Sequence, residues 1–127
     1  MKKMFLLFSH SLTAEQKQDA ITNLGVEEFV GLPENLQKIF SNIPAEAESI
    51  EEIIEPFYNW LEENAKRGDY VLIQGDFGVV FLTVNYAKSK GLIPVYATTE
   101  RVAVEQKQED GSVLVNKIFR HKRFRKY

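Results

Sequence analysis

The sequence predicts a single α/β domain in which a mostly parallel, Rossmann-like sheet is flanked by helices and ends in a C-terminal antiparallel β-hairpin. Short apolar runs alternate with segments of helical periodicity through the first 97 residues. The connections between these runs are long enough to hold the crossover helices that parallel strands require. The last two apolar segments are separated only by a short turn, as in a hairpin. With no internal repeat and no low-complexity linker, residues 1–127 are predicted to form one domain.

Two strands and three helices are predicted in the first 66 residues. Thr13 and Gln16 have the spacing of a capping box, so a helix begins at Thr13, and Gly25 ends it. Prolines close the second strand and the second helix, and Pro56 predicts a kink or a boundary inside the acidic third helix. The predicted elements are a strand over 4–9, a helix from Thr13 to about Leu24, a strand over Phe29–Leu32, and helices over Glu34–Asn42 and about Ser49–Lys66.

The second half begins with a turn at Gly68-Asp69 and a continuously apolar strand, which is typical of a central parallel strand. The segment Gly75-Asp76-Phe77-Gly78 opens a helix that Gly91 ends. A turn at Glu109-Asp110-Gly111 then joins two antiparallel strands. The predicted elements are a strand over Tyr70–Gln74, a helix over about 78–90, a strand over Ile93–Ala97 and hairpin strands over 101–107 and 112–119.

The composition excludes several classes of site. The chain has no Cys, so thiolate catalysis, disulfides and Cys-based zinc sites are excluded. Its two His residues lack the HxxxH or HExxH spacing of a zinc or iron hydrolase. The Gly75–Gly78 segment has neither the three glycines of a dinucleotide-binding motif nor a P-loop lysine. We therefore predict neither a metal nor a cofactor.

The N-terminal segment Met1–Phe8 mimics a short signal peptide, but its apolar part is brief and His10 follows almost at once. We interpret it as a strand. No other apolar run approaches the roughly twenty residues that a membrane-spanning helix needs. We expect a cytoplasmic protein without a membrane partner.

Charge is unevenly distributed along the chain, although the net charge is only −2. The last eleven residues hold six of the sixteen Lys and Arg residues and none of the eighteen acids, and aromatic residues such as Phe119 and Phe124 are interleaved with these cations. Two interpretations stay open. The basic tail either places positive charge beside an anionic ligand, or it is a frayed, solubilising terminus.

The predicted fold locates a site, because ligands of open α/β sheets bind at the carboxyl ends of the strands, where strand order reverses. Three polar segments are expected there: Ser9–Thr13, Gln74–Gly78 and Thr98–Arg101. Hydroxyls, amides and bare backbone N–H groups near helix N-termini favour a phosphate-bearing ligand.

Several of these side chains also have simpler explanations. Asp76 has the position of a helix cap, and Gln74 can find its hydrogen-bond partner in the protein or in a base edge. His10 is either a general acid or base, or a partly buried histidine without a chemical role. Arg101 can form a surface salt bridge instead of contacting a ligand, and His121, in the basic tail, is the second titratable candidate.

Five segments together resemble one known family. They are Phe8–Thr13 with Gln16, Leu32–Gln37, Gly68–Gly78, Gly91–Arg101 and Phe119–Tyr127. The pattern covers essentially the whole chain. It is similar to that of the small CRISPR-associated proteins of type III systems that are related to the CRISPR-associated Rossmann-fold (CARF) domain.

This resemblance implies a ring nuclease, an enzyme that binds the second messenger cyclic tetra-adenylate and opens it into linear di-adenylates, which would switch off the effector nucleases. Such proteins are typically homodimers that cut without a metal. By position, we expect His10, Ser11 and Arg101 to be catalytic, with His10 transferring the proton. The expected ligand-binding residues are Ser9, Thr13, Gln74, Gly75, Asp76, Phe77, Gly78, Thr98, Thr99 and Arg123.

Two other functions remain compatible with these residues. A protein with the same pocket can capture the cyclic oligoadenylate without cutting it, as a sensor or a sink. A nucleic-acid-binding module that uses the C-terminal basic strip is the third possibility, although the net charge of −2 disfavours extended RNA binding.

Overall fold

The computed structural model describes residues 1–127 and contains one five-stranded sheet with helices on both faces. The elements in chain order are β1 (Lys2–Leu7), α1 (Ala14–Leu24), β2 (Val26–Gly31), α2 (Glu34–Ser41), α3 (Glu51–Asn64), β3 (Tyr70–Ile73), α4 (Phe77–Ser89), β4 (Ile93–Lys107) and β5 (Val113–Lys126).

The sheet has the strand order β2-β1-β3-β4-β5. The first four of these strands are parallel to one another, and β5 runs antiparallel to β4. The predicted fold class is therefore confirmed: a mostly parallel α/β sheet with a C-terminal antiparallel hairpin. The chain moves from β1 outward to β2 and then returns to the other side of β1 with β3, so strand order reverses between β1 and β3.

Two apolar clusters hold the helices against the sheet. On one face, Phe5, Leu7 and Ile73 are fully buried beneath α2, α3 and α4. On the other face, Leu72 and Val95 pack against α1. The alternation of inward and outward side chains along each strand divides the core between the two faces.

Helix α1 confirms the predicted capping box. The Thr13 hydroxyl accepts a hydrogen bond from Gln16 N, the Gln16 side chain accepts one from Thr13 N, and Gly25 ends the helix at a φ of 71°. Helix α3 continues through Pro56, so this proline is not a boundary of the helix. The amide hydrogen that Pro56 lacks would have bonded to Glu52, which is exposed at the first turn of α3, where water can satisfy the carbonyl.

Strand β4 corrects the predicted C-terminal organisation. We expected a strand over Ile93–Ala97 that ended before a separate hairpin, but β4 continues unbroken to Lys107. Its partner β5 likewise continues beyond residue 119 to Lys126. The two strands pair along their whole length, so the apolar run and the hairpin are one structure, and the backbone of β4 finds its hydrogen-bond partners in β5.

The distal part of this hairpin, residues 100–120, is a two-stranded ribbon that we call the arm. Leu72 of β3 pairs with Val95 of β4, which places Ala97 level with Gln74, so every later residue of β4 lies beyond the parallel strands. All arm residues are exposed except Val102, which is half-buried. The arm therefore projects into solvent from the carboxyl edge of the sheet.

The basic tail, residues 117–127, leads β5 from the arm back to the parallel part of the sheet and does not fray. Its Phe124 is buried in the α1-side core, and Tyr127 bonds through its hydroxyl to Ile73 O and through its backbone N–H to Pro94 O. A register shift at Thr98 and Thr99 leaves one residue of β5 bulged. The interpretation of the tail as a frayed terminus is wrong.

Candidate functional site

The reversal of strand order between β1 and β3 brings two loops together at the carboxyl edge of the sheet. One loop follows β1 and contains Ser9, His10 and Ser11, and the other follows β3 and begins at Gln74. Gln74 N donates to Leu7 O at 3.1 Å, which extends the β1–β3 ladder and fixes the two loops side by side. We call the space between these loops the edge crevice.

The β1 loop presents three exposed polar side chains, Ser9, His10 and Ser11. The His10 ring lies edge-on to Phe8, with 5.4 Å between ring centroids, and makes no hydrogen bond within the chain. Because its nitrogens are unpaired and accessible, His10 is free to exchange a proton with a ligand. Thr13 at the end of this loop is committed to capping α1.

A cavity of about 300 Å³ lies on the β2 side of the same loop. Of the predicted site residues, His10 and Ser11 line it. Lys17 and Gln37 also line the cavity, and the sequence reasoning missed them. Gln37 Nε2 donates to Phe8 O at 3.2 Å and so helps to hold the loop. Lys17, one turn into α1, adds a positive charge at the rim of this cavity. The sequence signal that could have identified it is its position four residues after the helix cap Thr13.

Only one of the two polar atoms of the Gln74 side-chain amide is hydrogen-bonded within the chain. Its Oε1 accepts a hydrogen bond of 2.7 Å from Ala97 N, which joins β3 to β4 beyond the last backbone pairing. Its Nε2 makes no hydrogen bond within the chain, and the residue is half-buried. The amide is therefore held in a fixed orientation with two donors left for a ligand.

The glycines of the β3 loop are explained by packing. A Cβ on Gly75 would lie 3.0 Å from Phe40 Cζ, and one on Gly78 would lie 2.9 Å from Ile50 Cδ1. The loop is thus pressed against α2 and against the segment that precedes α3. These contacts account for both glycines without a bound phosphate.

Asp76 is a helix cap, the simpler of its two explanations. Its Oδ2 accepts hydrogen bonds from Gly78 N at 3.0 Å and Val79 N at 3.1 Å. These two N–H groups at the start of α4 are therefore already satisfied by a carboxylate. Next to this cap, Phe77 is 93% exposed.

The third predicted segment does not lie at a strand end, because β4 continues through it. Thr98 Oγ1 donates to Arg123 O at 3.0 Å and accepts from Arg123 N at 3.2 Å, which locks the two strands at the bulge. Thr99 is exposed one residue further along β4. The side chain of Arg123 is exposed on β5 and stays available to a ligand.

Arg101 lies apart from the edge crevice. It is four residues past the level of Gln74, a distance of about 13 Å along the strand, and β4 is about 10 Å from β1 across the sheet. Its guanidinium lies 5.1 Å from the centre of the Phe119 ring, not in a salt bridge. One protomer therefore does not bring Arg101 to the same atoms as His10 and Ser11.

His121 is withdrawn from solvent. Its side chain is 5% exposed, and its Nε2 lies 2.6 Å from Asp19 Oδ2. The imidazole is enclosed between β5 and α1 beside Phe124. It holds the two elements together and cannot reach a ligand at the edge crevice.

No group of three or more His, Asp or Glu side chains lies close enough together to hold a metal ion. No helix is both long and apolar enough to cross a membrane.

Taken together, the fold and the two loops define an open α/β-sheet protein with polar loops at its topological switch point. The chain belongs to the Uncharacterized protein MJ1673 family, whose model matches residues 2–125. It is 50% identical over 127 residues to the Uncharacterized protein MJ1673 of Methanocaldococcus jannaschii, an alignment that covers 100% of this chain and 98% of that protein. No solved structure matches the chain.

Proposed function

We propose that this chain is a cytoplasmic ring nuclease of type III CRISPR defence, which binds cyclic tetra-adenylate at the edge crevice and cuts it to linear di-adenylates without a metal. The substrate comes from the resemblance to the small CRISPR-associated proteins of the CARF group. The observation that carries the proposal is that His10 and Ser11 are exposed on the loop after β1, while Gln74, with its Nε2 free, begins the loop after the neighbouring β3, where strand order reverses.

The reaction needs positioning and charge stabilisation more than a special nucleophile. A ribose 2′-hydroxyl attacks the adjacent phosphorus in line, the bond from phosphorus to the 5′-oxygen breaks, and the attacking oxygen loses its proton while the leaving oxygen gains one. The products carry a 2′,3′-cyclic phosphate and a 5′-hydroxyl. Orientation of the ribose and stabilisation of the phosphorane oxygens supply most of the rate enhancement.

In this proposal, the residues around the edge crevice divide the work. His10 transfers the proton, since its ring nitrogens are exposed and unpaired. Ser11 donates a hydrogen bond to a phosphate oxygen, and Lys17 contributes positive charge from the cavity rim. Gln74 Nε2 donates to an adenine edge.

A homodimer is part of the proposal. Cyclic tetra-adenylate has two-fold symmetry, so two protomers related by a two-fold axis can present the same residues to each half of the ring. Each edge crevice then needs to bind only half of the ligand, which suits a protomer of 127 residues.

One observation favours the second candidate, a sensor or sink that binds cyclic oligoadenylate without cutting it. His10 has no hydrogen-bond partner to orient its ring, whereas catalytic histidines are commonly held by a second group. A binding site does not require such an orienting group.

The deciding experiment incubates the purified protein with labelled cyclic tetra-adenylate in EDTA, under single-turnover and excess-substrate conditions, and resolves the products by chromatography. Formation of linear di-adenylate by the wild type supports the nuclease. The single-turnover rate of His10→Ala is then expected to be about a hundredfold slower. Ser11→Ala is compared with Ser49→Ala, an exposed serine outside the site. Intact ring that co-elutes with the protein supports the sink instead. Absence of both cutting and binding would overturn both functions.

A further inference from the structure

Helix α4 presents two phenylalanines to solvent next to the edge crevice. Phe77 is 93% exposed and Phe81 is 67% exposed, and their spacing of four residues places them on one face of the helix. A covered phenylalanine buries about 150–250 Å², so these two rings leave roughly 300 Å² of apolar surface in water. The only charged side chain of α4 is Lys88, in its last turn.

The arm carries a second apolar patch on one of its faces. Side chains opposite each other across β4 and β5 share a face, and Val102 pairs with Ile118 while Gln106 pairs with Leu114. The apolar residues Val102, Val104, Leu114 and Ile118 form a stripe on this face, and all but the half-buried Val102 are exposed. An isolated two-stranded ribbon is only marginally stable in water, so a covering layer would stabilise the arm.

The two patches lie on the same side of the sheet. Val95 points to the α1 side, and because side chains alternate along a strand, Val102 and Val104 point to the opposite side, where α4 packs. The arm has four acidic and four basic residues and hence no net charge, so no net charge opposes its docking on the nearly uncharged α4.

We propose that a second copy of this chain covers these surfaces, with the arm of each protomer packing its apolar stripe on Phe77 and Phe81 of the other. The exchange is reciprocal, as a two-fold dimer requires. The six side chains offer on the order of 500 Å² of apolar surface per protomer, which matches the non-polar share of a standard interface of about 800 Å² per partner.

This exchange also supplies the edge crevice with a cation that its own loops lack. Arg120 lies on the docking face of the arm, paired across the strands with Glu100. Glu100 is already bonded to Lys122 at 2.7 Å, and Arg120 has no salt bridge in the chain. Since Phe77 borders the edge crevice, an arm docked on it brings Arg120 of one protomer to the anionic ligand bound by the other, a role that rests on the proposed function.

The first test is the solution mass without nucleotide, by light scattering over a dilution series. The wild type is expected at twice its 14.6 kDa chain mass. Phe81→Ser and Leu114→Ser should each raise the dimer dissociation constant by roughly a hundredfold or more. Ile21→Ser is the matched control, because Ile21 is a 49% exposed apolar residue of α1 on the other side of the sheet, and it should leave the mass unchanged. A monomeric wild type, or a dimer indifferent to both arm and helix variants, overturns the proposal.

Crosslinking tests the contact between the arm and α4 directly. Because the chain has no native Cys, only the introduced Cys residues can react. Chains with Phe81→Cys are mixed with chains of a different tagged mass that carry Val104→Cys, and a short bismaleimide is added. A mixed crosslinked species is expected, whereas Ile21→Cys in place of Phe81→Cys should give none. Equal crosslinking by both overturns the pairing.

The role of Arg120 is tested by mixing His10→Ala and Arg120→Ala chains, each of which should cleave cyclic tetra-adenylate poorly alone. Cleavage recovers on mixing if Arg120 acts across the interface, because one half-site then has both residues intact. No recovery shows that Arg120 does not act in trans. If the wild type does not cleave at all, the proposed function fails while the mass and crosslinking results still decide the dimer surface.

Discussion

His121 Nε2 lies 2.6 Å from Asp19 Oδ2, and this contact joins β5 to α1 across a sequence separation of 102 residues. The other carboxylate oxygen of Asp19 accepts a hydrogen bond from Asn23 Nδ2 at 2.6 Å. His121 Nδ1 is buried without a partner. Because the carboxylate of Asp19 can only accept, Nε2 of His121 donates this hydrogen bond.

Removal of Asp19 should therefore destabilise the fold. Asp19→Ala leaves the 5% exposed His121 side chain with no hydrogen bond at either nitrogen, and we expect a loss of about 1–3 kcal/mol in the free energy of unfolding, measured by urea denaturation. Glu15→Ala, an exposed acid on the same helix, should change it by no more than about 0.5 kcal/mol. His121→Phe should cost less than Asp19→Ala, because it also removes the unpaired nitrogen. Equal losses in all three variants would rule out a specific contact.

Two substitutions at Gln74 should distinguish its role in folding from its role in ligand binding. Gln74→Glu keeps an oxygen for Ala97 N but replaces the free Nε2 donors, so we expect an unfolding midpoint close to that of the wild type and an affinity for cyclic tetra-adenylate at least tenfold weaker, about 1.4 kcal/mol. Gln74→Leu should lower both the midpoint and the affinity, because Ala97 N loses its acceptor as well. Thermal denaturation and equilibrium binding measure the two effects. Unchanged affinity in both variants would remove Gln74 from the site.

Gly75 should be required for packing. Gly75→Ala places a Cβ about 3.0 Å from Phe40 Cζ, and we expect a loss of about 1–3 kcal/mol from overpacking. Phe40→Leu in the same chain makes room for the new methyl group, so the double variant should recover part of the loss relative to the sum of the two single variants. Denaturant unfolding of the four proteins gives the coupling. Strict additivity would mean that the glycine serves something other than this contact.

Tyr86 should dominate the response of the fold to alkaline pH. Burial, first, and its hydrogen bond to Glu62 raise the pKa of Tyr86 to about 12. A raised pKa contributes stability that is complete below about pH 10, the ordinary tyrosine value, and is lost as the pH rises towards 12. The wild type should therefore lose stability relative to Tyr86→Phe over this range. In a pH titration followed by tyrosinate absorbance, Tyr86→Phe should lack the component that titrates at the highest pH. Identical titration curves for both proteins would contradict the raised pKa of Tyr86.

Local sequence signals predicted much of the fold because their causes are local. The Thr13–Gln16 capping box, the Gly25 stop and the Asp76 cap each depend on residues within a few positions of one another. The periodicity of apolar residues gave the elements, and their order and connection lengths gave the parallel sheet and the hairpin. The edge crevice followed from that order, since His10 and Gln74 come at the ends of adjacent parallel strands.

The tertiary structure alone decided which residues distant in the sequence contact one another. Strand β4 continues to Lys107 because β5 supplies its hydrogen-bond partners, and no residue near Ala97 records this. Gly75 faces Phe40, and His121 faces Asp19, across separations that composition and spacing do not encode. The sequence by itself determined the elements and the edge of the sheet that holds the polar loops. Long-range packing removed His121 from that edge, separated Arg101 from His10, and left the arm exposed to solvent.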